Sequence, residues 1–231
     1  MPNSLQSPLL EKSIAILPPL FSKVYLWMFI GLLTSGVVAY YTAVTESMLY
    51  FVSKYFTFII ILELIVVIAF SVLRRKVSPL VAKILFLVYS IISGITLSSI
   101  FLVYEIGSIG MVFLSSALMF GLLAVYGYVT KTSLTSLGKI LLFALIAVVI
   151  MSIINMFIGN SSFSIFISIV SIVIFLGLTA YDMQKLKAVY NYYENDEAEL
   201  SKASIYGALD LYLDFINIFL DLLRLIGKSR D

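Results

Sequence analysis

The stretch from Ser204 to Gly227 is long and apolar enough to cross a bilayer, yet it carries Asp210, Asp214 and Asp221. Carboxylates inside a membrane span are expensive to bury, and they mark functional positions. At about 100° per residue the three acids fall within roughly 40° of one another around a helix. Asn217 sits beside them, with Tyr206 and Arg224 close by. The helix therefore carries one polar stripe, the rest of its circumference being mainly Leu, Ile, Phe and Ala. Such a stripe has to face a bundle interior or a water-filled cavity, which predicts a fold organised around this segment.

The rest of the chain supplies the bundle. The 231 residues are 61% hydrophobic and only 12% charged, with a mean hydropathy of +1.09, well outside the range of soluble domains. Span length and the polar clusters between spans predict seven crossings. They cover about Val24 to Val44, Phe51 to Leu73, Pro79 to Tyr104, Ile109 to Val129, Ile140 to Ile158, Phe163 to Tyr181, and Ser204 to Gly227. The expected class is an all-α membrane protein, a seven-transmembrane-helix bundle with a central polar seventh helix. Residues 1–23 form an N-terminal tail, 24–227 the membrane domain and 228–231 a C-terminal tail. The connection from Asp182 to Lys202 is the only clearly polar one. The N-terminal stretch lacks the basic start, apolar core and cleavage site of a signal peptide.

Lys and Arg near span ends set orientation. Lys12, Lys23, Arg74, Arg75, Lys76, Lys83, Lys131, Lys139, Lys185, Lys187 and Lys202 fall on one side of seven alternating spans. The other side holds Lys54, Lys228 and Arg230. The N-terminus is expected in the cytoplasm and the C-terminus outside, in a cell (inner) membrane. The net charge of +2, with basic residues at span ends, gives no support to nucleic-acid binding. There are no cysteines and no histidines, which excludes disulfides, thiolate metal sites and imidazole chemistry, so a response to pH near neutrality falls to carboxylates. Tyrosines near span ends, such as Tyr40, Tyr41, Tyr50 and Tyr55, read as interfacial anchors.

Two further groups share one face of the second span. Glu63 and Arg74 are eleven residues apart, within about 20° of each other and about 16 Å along the axis. Arg74 reads equally as a positive-inside anchor with Arg75 and Lys76. Asp182 is expected to cap the sixth span, where Asp214 and Arg74 approach it if the helices are neighbours. Two carboxylates in hydrogen-bond reach at low dielectric cannot both ionise cheaply, so they share a proton. With Arg74 in reach, Asp182 and Asp214 make a proton-operated latch, and an acid-lined interior attracts a hard cation such as calcium.

The tract from Gly177 to Gln184, GLTAYDMQ, followed by LYLDFINIF from Leu211 to Phe219 and LLR from Leu222, resembles the signature of the transmembrane Bax inhibitor motif family. SGITLSS at Ser93 to Ser99, Tyr126-Gly and Thr130-Lys131 are similar to that family's middle region. The resemblance implies a seven-helix, pH-sensitive calcium leak channel without cofactors. It implies Asp182 and Asp214 as the pH sensor, Arg74 as the latch and Glu63 as a residue of the pore. Asp210, Asn217 and Asp221 are expected to line the cation path, with calcium at Glu63, Asp210 and Asp214. The loop after Asp182, with Glu194, Asp196, Glu197 and Glu199, departs from the family pattern, and so does Asp221, which adds a cation site or pairs with Arg224.

Other classes use similar residues. An ion-coupled transporter needs intramembrane acids just as a channel does, and a regulatory protein of membrane stress or cell death would bind other membrane proteins. An intramembrane aspartyl protease would carry Gly-x-Gly-Asp at its second aspartate. The matching positions here are Gly207-Ala-Leu-Asp210 and Leu211-Tyr-Leu-Asp214, so no enzyme activity is expected.

Overall fold

Residues 19–74, 76–193 and 195–230 are described by a computed structural model of the chain. Most of the expected N-terminal tail with Lys12, Arg75 of the basic run, Glu194 of the loop and the terminal Asp231 lie outside the described residues.

The described chain is helical throughout: α1 (Pro19–Val44), α2 (Glu46–Leu73), α3 (Pro79–Leu97), the single turn α4 (Ile100–Val103), α5 (Ile106–Val129), α6 (Thr135–Ile158), α7 (Ser161–Tyr192) and α8 (Glu197–Ile226). Local chemistry sets many of the ends. Ser78 caps α3 ahead of Pro79 in the first turn, a position that needs no backbone donor. Gly159 closes α6 at a φ of 70°, and the Asn160 side chain accepts from the Phe163 amide to start α7. Asp196 does the same for α8 through the Glu199 amide, with Glu197 and Glu199 in the positively polarised first turn.

Six segments are long and apolar enough to cross a membrane: α1, α2, α3 together with α4, α5, α6 and α7. Their outward residues confirm the setting, since Phe143 at 75% and Phe157 at 81% exposure would be rejected by water. Helix α8 is not among these six. Its place in the fold is nevertheless the interior. It contacts α1, α3, α5 and α7, and fifteen of its residues are buried. One end lies by Arg74, which closes α2, and the other by Glu105, which opens α5. It therefore runs the length of the bundle.

Two expected boundaries are corrected. The sixth span was expected to stop at Tyr181, but α7 continues to Tyr192. Asp182 is therefore an interior helical residue rather than a cap, and the polar connection shrinks to residues 193–196. The cause is that Asp182 to Tyr192 contains no Gly or Pro, so the helix continues after the apolar run stops. The third span breaks after Leu97, where Ser98 and Ser99 donate to the carbonyls of Ile95 and Thr96 and compete with the helical ladder.

Packing fixes α8 tightly. Tyr212, fully buried, meets Phe86 and Tyr89 edge-on at 6.0 and 5.9 Å, and its Oη lies 2.6 Å from Ser35 Oγ. Ser35 in turn reaches the Ser90 carbonyl at 2.8 Å, so one hydroxyl relay ties α8 to α1 and α3. Tyr212→Phe is expected to lower unfolding stability by about 1 kcal/mol, the net worth of one buried hydrogen bond. Denaturation of the purified protein in mixed micelles measures this, and unchanged stability would mean that the relay contributes nothing. At the periphery, α6 packs chiefly on α7, and α2 packs on α3 and α1.

Candidate functional site

The long α7 places Asp182 and Lys185 three residues apart, on one face of the helix and facing α8. Lys185 Nζ donates to Asp182 Oδ1 at 3.1 Å and to Asp210 Oδ2 at 3.0 Å. Arg74, at the end of α2, donates from Nη2 to the same Asp210 Oδ2 at 2.9 Å. Its guanidinium also lies 4.8 Å from the ring centre of Tyr206, a cation–π arrangement that fixes its plane. Three helices thus meet in one ion-paired cluster.

Asp214 lies one turn deeper on α8 and is 4% exposed. Its Oδ2 lies 3.2 Å from Thr179 Oγ1 of α7, whose one proton also has the Phe175 carbonyl in reach at 2.8 Å. Glu63, expected to share an inward face with Arg74, is held by α3. Thr96 Oγ1 donates to its Oε2 at 2.7 Å and Tyr89 Oη lies 3.4 Å from its Oε1. Asn217 donates to the Leu213 carbonyl of its own helix at 2.8 Å. Asp221, 8% exposed, pairs with Arg224 at 3.1 Å near the other end of α8. Arg224 also donates to Ser168 Oγ of α7 at 2.9 Å.

These residues surround real space. A cavity of about 510 Å³ is lined by Glu63, Tyr89, Asp182, Lys185, Asp210, Asp214 and Asn217, with apolar walls from α2, α6 and α7. A second, of about 520 Å³, is lined by Arg74, Asp182, Lys185, Glu199, Lys202, Tyr206 and Asp210. Asp182, Lys185 and Asp210 belong to both, so the cluster forms the partition between this chamber, a cleft open to the side between α2 and α6, and a vestibule at the Arg74 end. Asp221 and Arg224 lie apart from both; Arg224 borders a separate polar cavity of about 460 Å³ with Asn155 and Ser164.

Glu63, Asp182, Asp210, Asp214 and Asn217 are thus brought to one chamber, while Asp221 is not. Arg74 pairs with Asp210 rather than directly with Asp182 or Asp214. Among the described residues no three acids gather closely enough to hold a metal ion. Asp210 is drawn to its two cations, and Glu63 to Thr96.

Sequence reasoning missed Lys185, counting it as a charge in a polar loop. The signal was its spacing of three from Asp182, which becomes meaningful once the helix is extended past Tyr181. Thr179, Thr96 and Tyr89 were also missed, since a hydroxyl facing an acid is indistinguishable in sequence from one bonding its own helix.

Comparison with known proteins sharpens the setting. A family model described as "Inhibitor of apoptosis-promoting Bax1" matches residues 18–231. The chain is 42% identical over 213 residues to the inner membrane protein YbhL of Escherichia coli (strain K12), covering 90% of this chain and 91% of that one. It is 39% identical over 224 residues to an uncharacterized protein of Borreliella burgdorferi, covering 96% and 97%. An uncharacterized membrane protein of Streptococcus pyogenes serotype M1 is 36% identical over 220 residues, covering 90% and 92%.

Proposed function

This chain belongs to the family of inhibitors of apoptosis-promoting Bax1, and we propose that it is a seven-span inner-membrane protein that passes calcium or a similar cation, gated by protonation of Asp182 and Asp214. The observation that carries this reading is the partition. Two cavities share one wall, made of two carboxylates and the ammonium between them. On this reading α8 is the seventh span, shielded from lipid by its partners, which removes the penalty its acids would meet alone. The lysines at the Arg74 end favour that end as the cytoplasmic one, and the Escherichia coli relative is named an inner membrane protein.

The mechanism follows from charge. With Asp182, Asp210 and Asp214 ionised, their field holds Lys185 and Arg74 across the partition and the chamber is closed. Each proton taken up removes one negative charge from that field. The ion pairs weaken, and Arg74 with the lightly packed end of α2 is released from Asp210. Acid therefore opens the path. Flux should be measured in proteoliposomes loaded with a calcium dye across a pH series; absence of flux at every pH would refute the reading.

Arg74→Gln removes the bond between α2 and α8 while leaving Lys185 on Asp210. Flux at neutral pH is expected to rise by about fivefold, corresponding to about 1 kcal/mol of lost closure. Flux equal to the parent's would show that Arg74 is only an orientation anchor. An ion-coupled transporter has one observation in its favour, because a single ion-paired barrier between two chambers also suits alternating access. Saturating, counter-ion-dependent uptake in the same vesicles would support it over a channel.

A further inference from the structure

Lys185 is the least expected member of the cluster, and its geometry differs from that of Arg74. The arginine is fixed twice, by Asp210 and by the Tyr206 ring. Lys185 reaches Asp182 and Asp210 at near-equal distances of 3.1 and 3.0 Å, and the Tyr181 ring is 6.0 Å away. Its side chain retains 36% exposure and borders open space on both sides. A lysine is a compact, hydrated point charge on a flexible stem, so this one can leave its seat without disturbing either helix.

We propose that Lys185 is a tethered cation occupying the seat of the permeant ion, so that a metal cation reaches Asp182 and Asp210 only by displacing its ammonium. The inference rests on the cation-passing reading above. The placement of charge supports it. Among the described residues Lys185 is the one cation that touches both Asp182 and Asp210, while Arg74 touches only Asp210. Withdrawing the ammonium leaves Asp182 with no cation partner and Asp210 with Arg74 alone, so the seat gains negative charge where a metal cation would enter. The two carboxylates also supply the hard oxygen donors that calcium-like ions take. The ammonium neutralises the seat until a competitor arrives.

The test uses terbium as a calcium-like probe on the purified full-length chain, read by luminescence sensitised through nearby tyrosines such as Tyr181 and Tyr206. Lys185→Met keeps most of the side chain and removes the charge, and is expected to bind terbium about tenfold more tightly than the parent. Lys185→Arg, which keeps the charge, is expected to stay near the parent. Adding Asp182→Asn to Lys185→Met should reverse the gain, which locates it at this seat. Equal affinity in the parent and Lys185→Met overturns the proposal, as does a gain that survives Asp182→Asn. Lys185→Gln stands in if the Met variant does not elute as a single folded species. Calcium flux on the same preparations separates the two ideas. Tighter terbium binding with no flux from any variant refutes cation passage and leaves the tethered ion standing. Flux in the parent with unchanged binding in Lys185→Met does the reverse.

Discussion

Asp182→Asn and Asp214→Asn are each expected to hold cation flux at a high, nearly constant level across the pH range in which the parent's flux climbs with acid. The amide mimics the protonated carboxyl in shape and removes its charge permanently. At Asp182 the ion pair is lost, because the amide oxygen still accepts from Lys185 but carries no charge to hold it. At Asp214 the effect is through the field. That carboxylate lines the same cavity, with Asp182, Lys185 and Thr179 from α7, Glu63 from α2, and Asp210 and Asn217 beside it on α8; Arg74 lies beyond, on Asp210. The difference from the parent should be greatest at alkaline pH, where the parent's carboxylates are charged and its latch closed, and on the order of tenfold there. It should vanish in acid. If both variants keep the parent's pH profile, protonation of this pair does not gate the path.

Gly127→Ala is expected to destabilise the fold by about 3 kcal/mol, the upper end of overpacking costs, although a helical Gly-to-Ala change ordinarily stabilises. A Cβ at Gly127 of α5 would fall on the carbonyl oxygen and Cα of Ala180 in α7, and backbone atoms cannot rotate away. The collision lies two residues before Asp182, so any relief by sliding α7 also misaligns the partition. Gly121, on the same helix, has nothing within 4 Å of where its Cβ would lie. Gly121→Ala should therefore stabilise by up to about 1 kcal/mol. Thermal unfolding of both variants in detergent measures the contrast. Two shifts of the same sign would mean that the α5–α7 approach does not constrain the fold.

Much of this arrangement was legible before any coordinates. Hydropathy predicted seven spans, of which six are borne out as helices long and apolar enough to cross, because lipid demands a continuous apolar surface; the polar stripe on the last helix marked the interior because acids cannot face hydrocarbon. What stayed hidden depended on register between helices. Arg74 was expected within reach of Asp182 and Asp214, yet it binds Asp210, one turn from Asp214. A displacement of one turn preserves the sequence pattern on both helices, so no periodicity can distinguish the two pairings. Lys185 was hidden for another reason: hydropathy marks where the membrane ends, not where the helix ends. Past Tyr181 the chain becomes polar while its backbone goes on winding, and the residue that bridges the acids lies in that polar extension.

The central helix also has a consequence for how the chain is made. The helices that α8 touches, α1, α3, α5 and α7 along its length and α2 through Phe70 and Arg74, precede it in the sequence, so synthesis completes the walls before the acid-bearing helix leaves the ribosome. Presented to bare lipid, a segment with Asp210, Asp214 and Asp221 would partition poorly; presented to a prepared groove, it finds the Lys185 ammonium for Asp210 and the Thr179 hydroxyl beside Asp214 on a helix already in place. Chain order thus does the work of an insertion chaperone, and a permutation that moved α8 to the front would ask the translocon to accept the one helix whose partners did not yet exist.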